Sequence, residues 1–281
     1  MNEDLPNRRD DFSSENQSPE QQWQAPPPPT DNYKAEEPPQ MSEVGTLGGI
    51  FFEPGKTFED LRRKPRFILG SILVILMVTL LTFSLAYKVG DENMKQFMAD
   101  QVEKNSQTQG MSGEQKTQAI NLQLTIVKTT RYLIPLFVVI GLAVGGLIYW
   151  LAIKAFGGTG NYLHALSLWI YASIPPTVVS VVANCIVLLL KSTDEIDVAA
   201  SQRGVLSASP SFLIDGKAMP VLATLVGTLD LFMIWGWVLA AIGLRIVGKI
   251  SSGAAWAIVL IMALLGLTFR VIMALVNGVA M

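Results

Sequence analysis

The chain has 281 residues, half of them hydrophobic and only 16% charged, with a mean hydropathy of +0.39. A soluble domain carries about 25% charged residues, so an ordinary soluble fold is excluded for most of the length. A net charge of −2 without a basic aromatic patch argues against a nucleic-acid partner.

Residues 1–45 are polar and proline-rich, with Pro26-Pro27-Pro28-Pro29 and Glu36-Glu37-Pro38-Pro39. Such a segment has too little apolar surface to offset its ordering entropy, and a disordered tail is expected. The four prolines favour a short polyproline II stretch that a partner domain can read. No apolar run follows the first methionine, so no signal peptide is expected. From residue 46 the pattern changes. Leu47, Ile50, Phe51, Phe52, Phe58 and Leu61 alternate with charged residues up to Arg62-Arg63-Lys64 and Arg66. This predicts a short amphipathic segment lying on the membrane surface. The basic cluster beside the first apolar block marks the cytoplasmic side.

Five apolar blocks follow, at about 67–87, 133–156, 163–190, 226–247 and 254–277. Each is near or above the roughly 20 residues that cross a bilayer. The fold expected is all-α: a polytopic bundle of five transmembrane helices over residues 46–281, behind the disordered amino-terminal tail. With the amino terminus cytoplasmic, the short connections at Gly157–Gly160 and Val247–Gly253 are cytoplasmic and the carboxyl terminus lies outside. The outer connections, 88–131 and 191–225, hold more Lys and Arg, but the charge rule applies to short flanks. Ser112 with Gln115 is a capping box, so the connection 88–131 is expected to be helical and to run into the second span. A short re-entrant or interfacial helix is expected within 205–225.

Charges inside spans are expensive and mark candidate sites. Asp230 lies one turn into the fourth block and Arg270 two turns before the end of the fifth. Both are twenty residues from the turn near Ile250, so they are expected at equal height, facing each other as an intramembrane ion pair. Pro175 and Pro176 remove two backbone donors from the third span and must kink or break it. By the same counting Pro175 lies opposite Gly141, which with Gly145 forms a small-xxx-small pair for close helix packing. The lone His164 and Cys185 offer no metal set, no convincing protease dyad is present, and Gly157-Gly158-Thr159-Gly160 follows a membrane helix rather than a strand. No enzyme activity and no cofactor are expected.

Taken together, Phe52-Glu53-Pro54-Gly55-Lys56-Thr57-Phe58, Gly158-Thr159-Gly160 with Tyr162, His164 and Ala165, Tyr171-Ala172-Ser173-Ile174-Pro175-Pro176, Asp230-Leu231-Phe232-Met233-Ile234-Trp235 and Ala241-Ile242-Gly243-Leu244 resemble the Yip (Ypt-interacting protein) family of five-span membrane proteins. The compact membrane domain and the helical 88–131 connection are more similar to prokaryotic members, which implies the cell inner membrane. The resemblance implies a cytoplasmic amino terminus. In eukaryotic relatives it implies association with small Rab GTPases and with other family members in vesicle traffic. The expected partners are the lipid bilayer and other membrane proteins or a second copy, and the expected role is a non-enzymatic membrane organiser or adaptor. The alternative is a transporter or channel built on the proline-broken third span with Asp230 and Arg270, although five spans do not divide into equal inverted repeats. A water-accessible cavity reaching Pro175, Asp230 or Arg270 favours the alternative. A tight bundle with the two charges paired favours the organiser.

Overall fold

The computed structural model describes residues 38–104, 108, 110–196, 198, 201, 205–206, 208–216 and 218–277. The tail expected over residues 1–37 lies outside them. The described residues are helical and include no strand: α1 Glu43–Phe52, α2 Pro54–Arg63, α3 Ile68–Lys104, α4 Gly113–Tyr132, α5 Ile134–Ala155, α6 Tyr162–Leu190, α7 Pro220–Gly227, α8 Leu231–Val247 and α9 Ser252–Asn277. α3, α5, α6 and α9 are each long and apolar enough to cross a membrane, and α7 with α8 makes a fifth span if the bent pair counts as one.

Ser42 caps α1 by accepting from the Gly45 amide, so helical structure already stands ahead of residue 46. Pro54 opens α2 at a position where its missing N–H costs nothing. α1 and α2 do not lie free on a membrane surface, as the amphipathic pattern predicts. Ile50, Phe58 and Leu61 are fully buried against the helix bundle, with α2 on α8 and α1 on α6.

α6 is the central element, packed by α3, α5 and α8 and by both amino-terminal helices. It passes through Pro175 and Pro176 as one helix of 29 residues. The expectation of a broken third span is therefore corrected. The two prolines withdraw only the amide donors that Tyr171 and Ala172 would receive. Ile170, Tyr171, Ala172 and Ile174 are all buried, so packing carries the helix across the gap.

Within the connection 88–131, the residues up to Lys104 and from Gly113 onward are helical, as expected. Gly90, at φ 73°, interrupts α3, and the reciprocal bonds of Ser112 and Gln115 open α4. α4 returns along α3, pinned by a 2.5 Å Lys128–Asp91 ion pair. It does not run unbroken into the second span. Leu133 separates α4 from α5, and Pro135 follows in the first turn of α5, where it removes a donor that continuity would need.

The fourth span differs most from expectation. It is bent by 45° between α7 and α8, and α7 fulfils the expected short helix only in part, at Pro220–Gly227. Asp230 is not one turn inside a helix but is the N-cap of α8. An aspartate before an apolar helical run is a start signal, and here it prevails over hydropathy.

Candidate functional site

Two regions concentrate the polar groups. The first is the end of the bundle that carries α1, α2 and the turns α5–α6 and α8–α9, called here the near end. Gly157 and Gly160 take φ of 74° and 101°, conformations that only glycine adopts without strain. Between them, Gly158 leaves no room for a side chain: a Cβ there would stand 2.6 Å from the Gly248 carbonyl oxygen. The Thr159 amide donates to that same Gly248 oxygen at 2.9 Å. The two turns are thus interlocked by backbone contact.

The only histidine straps α6 to α2. His164 Nδ1 is 2.7 Å from Asn161 Oδ1, and Nε2 is 3.1 Å from the carbonyl oxygen of Arg62. Asn161 also caps α6. Thr46 donates to the Glu43 carbonyl at 2.7 Å, which leaves its oxygen to accept from the Tyr171 hydroxyl at 3.0 Å. Gly243 of α8 lies where Phe58 of α2 and Leu168 of α6 meet, and a Cβ there would be 2.9 Å from both side chains. The residues that carry the family resemblance before α6 and at its start therefore converge on one end of the molecule.

Sequence reading missed the charge that organises this end. Asp60 is 2% exposed. Its Oδ1 accepts from the amides of Gln40 at 2.5 Å and Met41 at 3.1 Å, and its Oδ2 stands 3.3 Å from Arg66 Nη1. One carboxylate thus fixes the segment preceding α1 and the arginine preceding α3. The signal was an acid six residues before an arginine, inside a cluster that otherwise reads as solvated basic charge.

The second region is a cavity of about 710 Å³ within the membrane-spanning part. Val78, Leu81 and Thr82 of α3 line one side and Met262, Ala263, Gly266 and Arg270 of α9 the other, with α6 and α8 between them. Asp230 and Arg270 both line it. They make no direct ion pair: among the described residues no carboxylate stands within 4.0 Å of the Arg270 guanidinium. Asp230 Oδ1 instead accepts from the Phe232 and Met233 amides at 2.9 and 3.3 Å, and Oδ2 accepts from the Ala208 amide at 2.9 Å. Arg270 Nη1 lies 3.5 Å from Met233 Sδ.

Pro176 lines the cavity and faces Gly236 of α8, where a Cβ would stand 3.5 Å from its ring; Pro175 is buried. Gly141 does not receive the prolines. It is exposed, with nothing within 4 Å of a Cβ, so the pairing of Pro175 with Gly141 is corrected. Gly145 does serve packing, since a Cβ there would stand 2.3 Å from Trp169 Nε1. Its neighbour Gly146, which sequence reading passed over, lies against the Leu166 backbone, with a Cβ 2.9 Å from Cα.

The Yip1 domain family matches the chain over residues 48–275. A relative described as "Membrane protein YknW", from Bacillus subtilis (strain 168), is 28% identical over 243 residues, covering 85% of this chain and 94% of its own length. No solved structure matches the chain.

Proposed function

The chain belongs to the Yip1 domain family and is a multi-pass membrane protein, and from that premise we propose that it is a non-enzymatic organiser or adaptor whose near end faces the cytoplasm. The observation that carries this reading is the built near end. Asp60 holds the chain at Gln40 and Met41, directly after the proline-rich tail, so the tail leaves from a fixed point on the membrane domain. A polyproline-reading domain that binds the proline-rich stretch is thereby tethered to the membrane domain at high effective concentration. The positive flank Arg62-Arg63-Lys64-Arg66 supports a cytoplasmic near end. Partner membrane helices have lipid-facing surface to pack on, as in α9, where Leu264, Leu265, Phe269 and Ile272 are exposed.

A transporter or channel is the second reading, and the cavity reaching Pro176, Asp230 and Arg270 supports it. The continuity of α6 removes the broken helix on which that reading leaned.

Affinity purification from native membranes, with the full chain and with residues 1–37 removed, tests the first reading. The expected result is a set of proteins specific to the full chain and lost on truncation. Recovery of no specific protein with either form overturns it.

A further inference from the structure

Arg270 combines with the cavity in a way that neither an adaptor role nor an ion pair uses. The cavity lies among apolar helices, and its lining is mostly apolar, with Val78, Leu81, Val181, Val259 and Leu267 among the side chains. Three of its hydroxyls are spent on backbone carbonyls: Thr82 donates to that of Val78, Ser173 to that of Ile170 and Thr228 to that of Thr224. The carboxylate of Asp230 is held by three amides at the α8 amino terminus, where the helix dipole also favours it. Arg270 is different. It lies in the last two turns of α9, where its guanidinium meets the Met233 thioether and makes no ion pair with a described residue. An unneutralised guanidinium inside a membrane is expensive, and it recognises phosphate through paired N–H donors. What reaches such a site is supplied by the bilayer itself. The volume of about 710 Å³ falls within the range of about 300–1,000 Å³ typical of small-ligand sites.

We propose that this cavity holds one anionic phospholipid, with an acyl chain along the apolar lining between α3 and α9 and the headgroup phosphate on Arg270. The charge complementarity is specific. A neutral lipid fills the cavity but leaves the guanidinium unpaired, and a soluble anion pairs with it but leaves the apolar walls open. A phosphodiester lipid does both. The site is independent of the adaptor reading and survives if that reading fails.

The test is native mass spectrometry of the full chain in mild detergent, titrated with phosphatidylglycerol, with phosphatidylcholine, and with inorganic phosphate as competitor. The expected result is one tightly retained phosphatidylglycerol, preferred over phosphatidylcholine by about tenfold or more, and not displaced by excess phosphate. R270Q is expected to bring the two lipids within about twofold of each other, while R270K, which keeps the charge but not the paired donors, keeps part of the preference. Ala263→Phe fills the cavity and leaves Arg270 in place, and it is expected to lose retention of both lipids. Equal retention of the two lipids by the unaltered protein overturns the proposal. So does displacement by phosphate alone, or undiminished phosphatidylglycerol binding by Ala263→Phe. The unaltered protein and Ala263→Phe keep the proposal testable even if R270Q fails to fold.

Discussion

Asp60 shows how much one buried charge can organise. Its carboxylate is 2% exposed and its ion-pair partner Arg66 is 9% exposed at the side chain, so screening by solvent is slight. The pair is not offered as a large net source of stability, because desolvation offsets most of the attraction. Its value lies in what happens when one member is lost. Asp60→Asn keeps an oxygen for the Gln40 and Met41 amides but leaves Arg66 unneutralised. We expect a loss of about 3–5 kcal/mol, read as a lower unfolding midpoint in detergent. Arg66→Met alone is expected to cost a similar amount. The double variant Asp60→Asn/Arg66→Met should lose clearly less than the sum of the two, and strictly additive losses would contradict the pairing.

At the scale of elements, the interlocked turns and the helix packing make a paired prediction. Gly158→Ala forces a methyl group into the Gly248 carbonyl oxygen, and both sides of that contact are backbone. We expect destabilisation of about 1–3 kcal/mol, the usual range for overpacking. Gly141→Ala meets nothing and should be neutral or stabilising by up to about 1 kcal/mol, the helix propensity gain. Thermal unfolding of both variants in the same detergent checks the contrast. The spans were legible in the sequence because unbroken apolar runs follow from bilayer thickness. The capping box at Ser112 was legible because it is local chemistry. Gly141 was misplaced because residue counting along a hairpin gives height but not the distance between the helices there. Gly141 lies one turn from Gly145 and only about 40° around α5 from it, yet Gly145 and Gly146 meet residues of α6 while nothing stands within 4 Å of a Cβ at Gly141. The amphipathic pattern of α2 was read as a membrane-surface helix because a lipid interface and a protein groove select the same pattern. The break at Asp230 was hidden because the apolar run continues on both sides of it. Only the capping logic of an aspartate before Leu231 points to it.

For the molecule as a whole, hydropathy gave the membrane class and the four to five candidate spans, and the order of short motifs gave the family. Most of those motifs meet at the near end, where α1 and α2, the two turns and the start of α6 form a single packed body. That body is useful for an adaptor only if it stands in the compartment of its soluble partners, on the same side as the tail. With α7 and α8 crossing as one bent span, the near-end turns share that side, and the connection around Gly110 lies on the other. The direct measurement is cysteine labelling in whole cells with a membrane-impermeant maleimide, in a chain where Cys185 is replaced by Ser. Ser14→Cys in the tail and Ser252→Cys at the α8–α9 turn are expected to label only after permeabilisation, and Gly110→Cys in intact cells. Labelling of Ser14→Cys or Ser252→Cys in intact cells, or protection of Gly110→Cys, would contradict the account.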